Sequence, residues 1–109
     1  MSYNVFVTSF FKKEAEALIK KFHSLKIEIN ILIEELQKKP DKGVSLGKNC
    51  YKIRLAIKSK GKGKSGGVRI ITLVKFANEE VFLLSIFDKA NKDSISDNEL
   101  KKLIEQVDI

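Results

Sequence analysis

Hydrophobic residues recur through the first part of the chain at the spacing of two amphipathic helices. On the first helix, apolar side chains at steps of four and three share one face: Phe11, Ala15, Leu18, Phe22 and Leu25. Thr8 or Ser9 is the expected N-cap of this helix. On the second helix, the shared face carries Ile29, Leu32, Ile33 and Leu36. Pro40 and Gly43 end this helix, and a short strand at residues 3–8 precedes the pair.

The second half of the chain carries the patterns of β-strands. Alternate apolar positions, typical of a half-buried strand, are Tyr51, Ile53, Leu55 and Ile57. Residues 68–76 are rich in β-branched side chains and predict the next strand. A turn at residues 77–80 leads into a third strand at 81–87, whose almost wholly apolar sequence predicts burial on both faces. Residues 41–49 are interpreted as a polar connection without a strand.

A charged loop at residues 88–95 precedes the last predicted helix. Ser96 and Glu99 have the spacing of a capping box, in which each side chain bonds the backbone N–H of the other. The apolar face of this helix consists of Leu100, Leu103, Ile104 and Val107. The order β-α-α-β-β-β-α predicts an α+β fold, with a helical hairpin packed on a small antiparallel sheet and the helices on one face. Residues 1–109 are expected to form a single domain.

The charge of the chain limits the class of its partner. Lysine and arginine number 21 against 14 aspartate and glutamate residues, for a formal charge of +7, which favours nucleic acid, an acidic protein or a membrane surface. The single cysteine, Cys50, and the single histidine, His23, argue against a disulfide, a cysteine-based metal cluster and a catalytic histidine pair. No membrane span or signal peptide is evident, so a cytoplasmic protein is expected.

Lysine and glycine are concentrated in residues 58–69, which connect the first two predicted strands of the second half of the chain. Lysines alternate through the first part of this segment, and Arg69 ends it: the lysines are Lys58, Lys60, Lys62 and Lys64. Glycine allows close approach to a ligand, and clustered lysines produce a positive field suited to phosphate. The segment is not a nucleotide-binding P-loop, because position 58 is not glycine and the segment leads into a strand.

Cations alone are sufficient for one class of RNA chemistry. The ribose 2′-hydroxyl is the nucleophile, so the protein needs only to orient the phosphate, stabilise its charge and assist proton transfer. Arginine binds phosphate through its planar fork, and lysine can act as an acid or base where neighbouring cations lower its pKa. Arg54, Lys89 and Lys92 fall near the predicted hairpin loop. Composition alone favours a phosphate-binding surface without chemistry.

Two segments resemble a known family. Residues 52–57 and 59–71, which include Gly-Lys-Ser-Gly-Gly-Val-Arg at 63–69, are similar to toxins of the RelE/ParE superfamily. Residues 83–96 resemble its HigB-like, mRNA-cleaving branch. The amino-terminal helices fit as well, so the resemblance covers almost the whole chain. The glycine–lysine run is its most specific part.

The resemblance implies a toxin of a type II toxin–antitoxin system that cleaves mRNA on the ribosome without a metal or other cofactor. It also implies a helix-turn-helix antitoxin as partner and no membrane. By motif position, the implied catalytic residues are Lys64, Arg69, Lys89 and Lys92. The implied RNA-binding residues are Arg54, Lys58, Lys60, Lys62, Ser65 and Phe87.

The chain departs from the family pattern at two positions. Relatives often carry tyrosine where this chain has Phe87 and Leu73, and phenylalanine lacks the phenol that donates a proton or hydrogen bond. Two alternative functions follow from the resemblance. One is a ParE-like binding protein that poisons gyrase, and the other is a catalytically weakened toxin that acts mainly by binding its antitoxin.

The strand pattern also predicts the placement of Arg69. A turn centred on residues 78 and 79 pairs Arg69 with Asp88 and places Phe87 and Lys89 on the opposite face of the sheet. Lys64 and Arg69 are expected at the mouth of the hairpin, outside the core. Replacing either with alanine is then expected to change stability within roughly ±0.5 kcal/mol.

Overall fold

A computed structural model describes residues 2–60 and 66–107, with the side chain of Lys60 outside that description. The helices are α1 (Ser9–Lys21), α2 (Leu25–Lys38) and α3 (Asp97–Val107). The strands are β1 (Asn4–Val7), β2 (Val44–Gly47), β3 (Cys50–Leu55), β4 (Val68–Lys75) and β5 (Glu80–Asp88). The predicted site residues Lys62, Lys64 and Ser65 lie outside the described residues.

Within these ranges the strands form one mixed sheet in the order β1-β5-β4-β3-β2. β1 runs parallel to β5, and the other neighbouring strands are antiparallel. The α+β class and the helical hairpin on the sheet are therefore confirmed, but β2 lies in the segment interpreted as a polar connection. A tight turn with positive φ at Gly47, Lys48 and Asn49 joins β2 to β3, which the short polar sequence did not indicate.

The predicted helix ends are present. The Thr8 hydroxyl accepts a hydrogen bond from the backbone N–H of Phe11 at 3.2 Å, as an N-cap does. The Ser96 hydroxyl accepts from the N–H of Glu99 at 3.2 Å, and the Glu99 carboxylate accepts from the N–H of Ser96 at 3.1 Å. The capping box at the start of α3 is thus confirmed, and α2 ends before Pro40.

The helices cover both faces of the sheet, so the prediction of helices on one face is wrong. Helices α1 and α2 pack with one set of sheet residues, which includes Ile53, Ile70 and Ile86. Helix α3 packs on the other set, which includes Cys50, Ile71, Leu73, Leu84 and Phe87. β4 and the larger part of β5 are buried along both faces, so the sheet must be covered on each side.

The predicted pairing of β4 with β5 is wrong by two residues next to the turn and by one residue at Arg69. Phe76–Asn78 forms a short 3₁₀ turn, and Glu79 adopts a left-handed conformation with φ 55°. A bulge between Ile71 and Thr72 then shifts the register along the rest of the two strands. Arg69 lies opposite Phe87, and Asp88 lies opposite Val68. Arg69 and Phe87 therefore share one face, contrary to the prediction.

A side chain from α1 covers the part of β5 that extends beyond β1. β1 pairs only with residues 80–83 of β5. Beyond them, the Glu14 carboxylate accepts hydrogen bonds from the Ser85 hydroxyl at 2.7 Å and from the Ile86 N–H at 3.1 Å. Glu14 thereby satisfies a backbone donor that no strand reaches.

Gly67 is expected to be intolerant of any side chain. A Cβ at this position would overlap the carbonyl oxygen of Leu55 on β3. Gly67→Ala should lower the free energy of unfolding by about 1–3 kcal/mol, the usual effect of overpacking. Urea unfolding measures it, with Gly47→Ala as the control, because Gly47 has φ +82° but a Cβ added there would meet no atom within 4 Å. Gly47→Ala should itself lose about 1 kcal/mol from its left-handed backbone. A loss for Gly67→Ala no larger than that would contradict the steric explanation.

Candidate functional site

Three predicted site residues lie side by side across the sheet. Arg54 on β3 is directly opposite Arg69 on β4, and Arg69 is directly opposite Phe87 on β5. Directly opposed residues of neighbouring strands point to the same face, here the face that α3 covers. The structure therefore brings together Arg54, Arg69 and Phe87, which we call the cross-strand row. The sequence predicted all three residues but not this alignment.

Arg69 lies in the interior, which contradicts its expected position outside the core. Its side chain is 2% exposed, and its Nε donates to Oδ1 of Asp93 at 2.9 Å. Its Nη1 also donates to the carbonyl oxygen of Val68 at 3.3 Å. Bringing a guanidinium into the interior is tolerated because hydrogen bonds and an opposite charge accompany it. Arg54, one strand away, is exposed.

Asp93 is the acidic partner of the buried arginine and belongs to the loop between β5 and α3. The hydrogen bond from Arg69 lowers the pKa of the Asp93 carboxyl, and the nearby charges of Lys52 and Lys89 act in the same direction. Lys52 also donates from Nζ to the backbone carbonyl of Asp93 at 3.2 Å. Asp93 is therefore ionised at neutral pH, and contacts from two strands hold this part of the loop over the sheet.

Lys92 lies above the ring of Phe87. Its Nζ is 4.8 Å from the ring centroid, within the range of a cation–π interaction, and 2.8 Å from the carboxylate of Glu99 on α3. The hydrogen bond from Lys92, together with that from the Ser96 N–H, lowers the pKa of Glu99 to about 2. The ammonium group of Lys92 is thus placed at the β5 end of the cross-strand row, with its charge balanced by α3.

The backbone around Lys89 connects this loop to the root of the glycine-rich segment. The Lys89 N–H donates to the carbonyl oxygen of Gly67 at 3.1 Å. The Asp88 carboxylate accepts from the Ala90 N–H at 3.0 Å, and its carbonyl oxygen accepts from the N–H of Lys92. These bonds form the turn after β5, and the Lys89 side chain is exposed next to the hairpin root.

The other end of the glycine-rich segment is attached to α2. The Lys58 N–H donates to Oε2 of Glu28 at 2.7 Å, and the Ser59 N–H donates to the Ser24 hydroxyl at 3.0 Å. Side-chain acceptors near the start of α2 therefore fix the backbone that leads into the segment. The Lys58 side chain is exposed. The predicted positions 62, 64 and 65 lie outside the described residues, as does the side chain at position 60.

The Cys50 thiol and the possible metal-binding side chains are further candidates for reactive groups among the described residues. Burial raises the pKa of the Cys50 thiol to about 11, so it remains protonated and packs beneath α3. Among the residues described, no three His, Cys, Asp or Glu side chains form a group suited to a metal ion. None of the described helices has the length and apolar character needed to cross a membrane.

Two residues of the site, Lys52 and Asp93, were not predicted from the sequence. Lys52 is two positions before Arg54 on β3, and this spacing could have revealed that both side chains share a face. Asp93 lies in an irregular loop, where no periodicity indicates which strand residue a side chain meets. Its contact with Arg69 depends on the three-dimensional path of the chain.

Arg69→Ala is expected to destabilise the protein, unlike the sequence-based expectation. Truncating a buried, ion-paired side chain should reduce the free energy of unfolding by about 2–3 kcal/mol. Arg54→Ala is the matched control, because Arg54 is the exposed neighbour in the same row, and its effect should stay within about 0.5 kcal/mol. Urea unfolding of both variants measures the difference. Equal stability of the two variants would show that Arg69 contributes nothing to folding.

Comparison with known proteins identifies the family of this chain. A family model described as the RelE toxin of the RelE/RelB toxin–antitoxin system matches residues 3–107. A mutant of E. coli toxin RelE in the free state is similar in structure, with TM-score 0.65, 16% identity and coverage of 98% of this chain and 99% of that chain. A chain of the toxin–antitoxin complex RelBE2 from Mycobacterium tuberculosis is also similar, with TM-score 0.54, 13% identity and coverage of 81% and 99% respectively.

The search of curated proteins gives no match. At the identities of the two structural neighbours, their likeness shows the fold alone. The family model adds to that fold a match over almost the full length. The chain therefore belongs to the RelE toxin family of toxin–antitoxin systems.

Proposed function

We propose that this RelE-family toxin is an endoribonuclease of the HigB-like branch, which cleaves mRNA on the ribosome without a metal ion and so inhibits translation. The observation that carries the proposal is the cross-strand row with Lys89 and Lys92 beside it. These cations gather where the glycine-rich segment joins β4. A phosphate bound there would meet positive charge from several elements of the fold.

In the proposed reaction, the RNA supplies the nucleophile and the protein supplies charge. The 2′-hydroxyl attacks the adjacent phosphate and the P–O5′ bond breaks, which leaves a 2′,3′-cyclic phosphate and a protonated 5′-hydroxyl. Arg69 with Lys64 stabilises the charge that develops on the phosphate oxygens. Lys89 and Lys92 are the candidates for proton transfer, because both belong to the loop after β5, beside the cross-strand row. Arg54, with Lys58, Lys60 and Lys62, binds the flanking RNA backbone. Ser65 contributes a hydroxyl at the same segment.

The proposed partner is an antitoxin with a helix-turn-helix domain. The similar Mycobacterium tuberculosis chain comes from a toxin–antitoxin complex, which supports a partner of this class. An open groove of about 750 Å³ between α1 and α2 offers apolar surface for such a contact, with Phe11, Ile19, Ile29 and Ile33 among its lining residues. The groove is on the opposite side of the sheet from the cross-strand row. An antitoxin bound there leaves the row uncovered.

A second candidate function is a weakened toxin that acts mainly by binding its antitoxin. Two observations favour it: Arg69 is 2% exposed and already ion-paired, and Phe87 offers no phenol for proton donation. Cleavage rates distinguish the two candidates, since both predict the same antitoxin binding.

Lys64→Ala is expected to abolish growth arrest while leaving the melting temperature unchanged. Loss of a positioned cation should reduce the cleavage rate by on the order of 10²–10³. Cleavage of ribosome-bound mRNA is mapped by primer extension beside growth curves and thermal melting. Lys13→Ala on α1 is the matched control, because it removes one exposed lysine from the helix-hairpin side of the fold.

A Lys64→Ala variant that melts normally and still arrests growth would remove Lys64 from the active site. Growth arrest by the natural chain with intact mRNA and an induced DNA-damage response would instead favour gyrase poisoning. Absence of both cleavage and arrest, with antitoxin binding retained, would favour the weakened toxin.

Phe87→Tyr is expected to raise the cleavage rate. The ring lies beside Arg69 and under Lys92, so a phenol at this position would be close to the proposed phosphate site. The gain should reach up to about 10²-fold, the lower end of general acid–base contributions. Phe82→Tyr makes the same chemical change elsewhere on β5 and should leave the rate unchanged. If Phe87→Tyr also leaves it unchanged, position 87 only packs.

A further inference from the structure

An anion supplied by the chain itself is bound to the arginine of the proposed active site. Arg69 Nε donates to Asp93 Oδ1 at 2.9 Å. Carboxylate and phosphate oxygens bind the guanidinium fork in the same manner, through charge-assisted hydrogen bonds to its N–H groups. Asp93 therefore holds part of the donor set that a phosphate needs. With 2% of its side chain exposed, Arg69 presents almost no surface to an RNA in this arrangement.

The loop that carries Asp93, residues 89–96, is held down by further contacts. Lys52 Nζ donates to the Asp93 carbonyl oxygen at 3.2 Å, and Lys92 Nζ lies 2.8 Å from the Glu99 carboxylate. The same loop thus engages a strand lysine and the strand arginine, and its own lysine is paired with α3. Cations that could bind RNA are instead bound to groups of this chain.

The two partners of the central ion pair differ in their access to water. The Asp93 side chain is 53% exposed, whereas the Arg69 side chain is 2% exposed. When the pair opens, the carboxylate is readily hydrated, but the guanidinium loses an anion in a place that water reaches poorly. Loss of an anionic contact is unfavourable for a buried cation, so departure of Asp93 favours the entry of another anion. The geometry suits exchange of one anion for another.

We propose that Asp93 is an internal competitor of the substrate: its carboxylate occupies Arg69 until an RNA phosphate replaces it and the 89–96 loop moves aside. The proposal rests on the proposed function, since it takes Arg69 as the phosphate-binding residue. It assigns Asp93 the role of setting how tightly the toxin binds RNA. The apparent dissociation constant for RNA equals the intrinsic constant divided by the fraction of molecules in which Asp93 does not occupy Arg69.

The test compares two variants that change the net charge equally. Asp93→Asn removes the competing charge, while Asp97→Asn removes a charge four residues later that no described contact links to Arg69. The probe is a fluorescein-labelled RNA hexamer of mixed sequence, and its dissociation constant is measured by anisotropy at fixed salt. Asp93→Asn should bind the hexamer roughly threefold to tenfold more tightly than Asp97→Asn, because an uncharged amide competes with a phosphate for Arg69 less strongly than a carboxylate does.

A second measurement on the natural chain makes the test independent of variant folding. The NMR signal of the Arg69 Nε–H should shift on addition of the hexamer, and the side-chain carboxyl signal of Asp93 should move toward that of a hydrated carboxylate. An Asp93 signal that stays unchanged at RNA saturation would overturn the proposal. So would an Asp93→Asn variant that binds no more tightly than Asp97→Asn, or hexamer binding by neither.

The proposed function is tested separately, by measuring cleavage of ribosome-bound mRNA. Tighter binding by Asp93→Asn without any cleavage would support the competition and reject the endoribonuclease. Cleavage by the natural chain, with no gain in binding for Asp93→Asn, would support the endoribonuclease and reject the competition.

Discussion

The pairing of β4 with β5 is the contact on which the rest of the structure depends. These strands lie inside the sheet, and their side chains are buried along both faces, so they require α1 and α2 on one side and α3 on the other. The bulge between Ile71 and Thr72 sets the register in which residues 68–71 of β4 pair with residues 85–88 of β5. That register places Arg69 opposite Phe87, and the proposed site is a consequence of it.

A charged residue in such a strand creates a conflict between stability and function. Arg69 needs an anion because burial in a weakly polar environment disfavours an isolated charge. An arginine that binds a phosphate must also be able to release whatever anion it holds. The conflict is moderated because Asp93 belongs to a loop and stays half exposed, so that only one partner of the pair is enclosed. The strand can keep its packing while another anion takes the place of the Asp93 carboxylate on Arg69.

Local sequence patterns were sufficient for most elements but not for their relative placement. The Thr8 cap and the capping box at Ser96 follow from short-range spacing, and both are present. Of the apolar positions predicted for the first helix, Phe22 and Leu25 lie beyond its end, and Leu25 begins α2. The four-residue β2 has too few positions for alternation to stand out. The face covered by α3 could not be predicted either, because an amphipathic helix does not specify which side of a two-faced sheet receives it.

Local patterns were also insufficient to predict the β4–β5 register and the arrangement of the candidate site. The left-handed conformation of Glu79 and the bulge at residues 71 and 72 each moved the pairing, and neither is visible in a strand made of β-branched residues. Arg54, Arg69 and Phe87 are aligned across three strands, whereas the predicted register placed Phe87 on the opposite face from Arg69. The burial of Arg69 was missed because the end of a strand is ordinarily open to solvent, whereas here the 89–96 loop returns over it.

The carboxylate of Glu14 has a consequence for assembly. Strand edges with unpaired backbone groups invite strands from other molecules, and natural proteins block them with charges placed inward. Glu14 does this for β5 beyond the end of β1, by occupying the N–H of Ile86 and the hydroxyl of Ser85. A foreign strand could extend the sheet at this point only by displacing a charged helix residue. Edge-to-edge growth of the sheet is therefore directed to its short outer strands, β1 and β2, and the length of these strands limits how many hydrogen bonds a visiting strand can form.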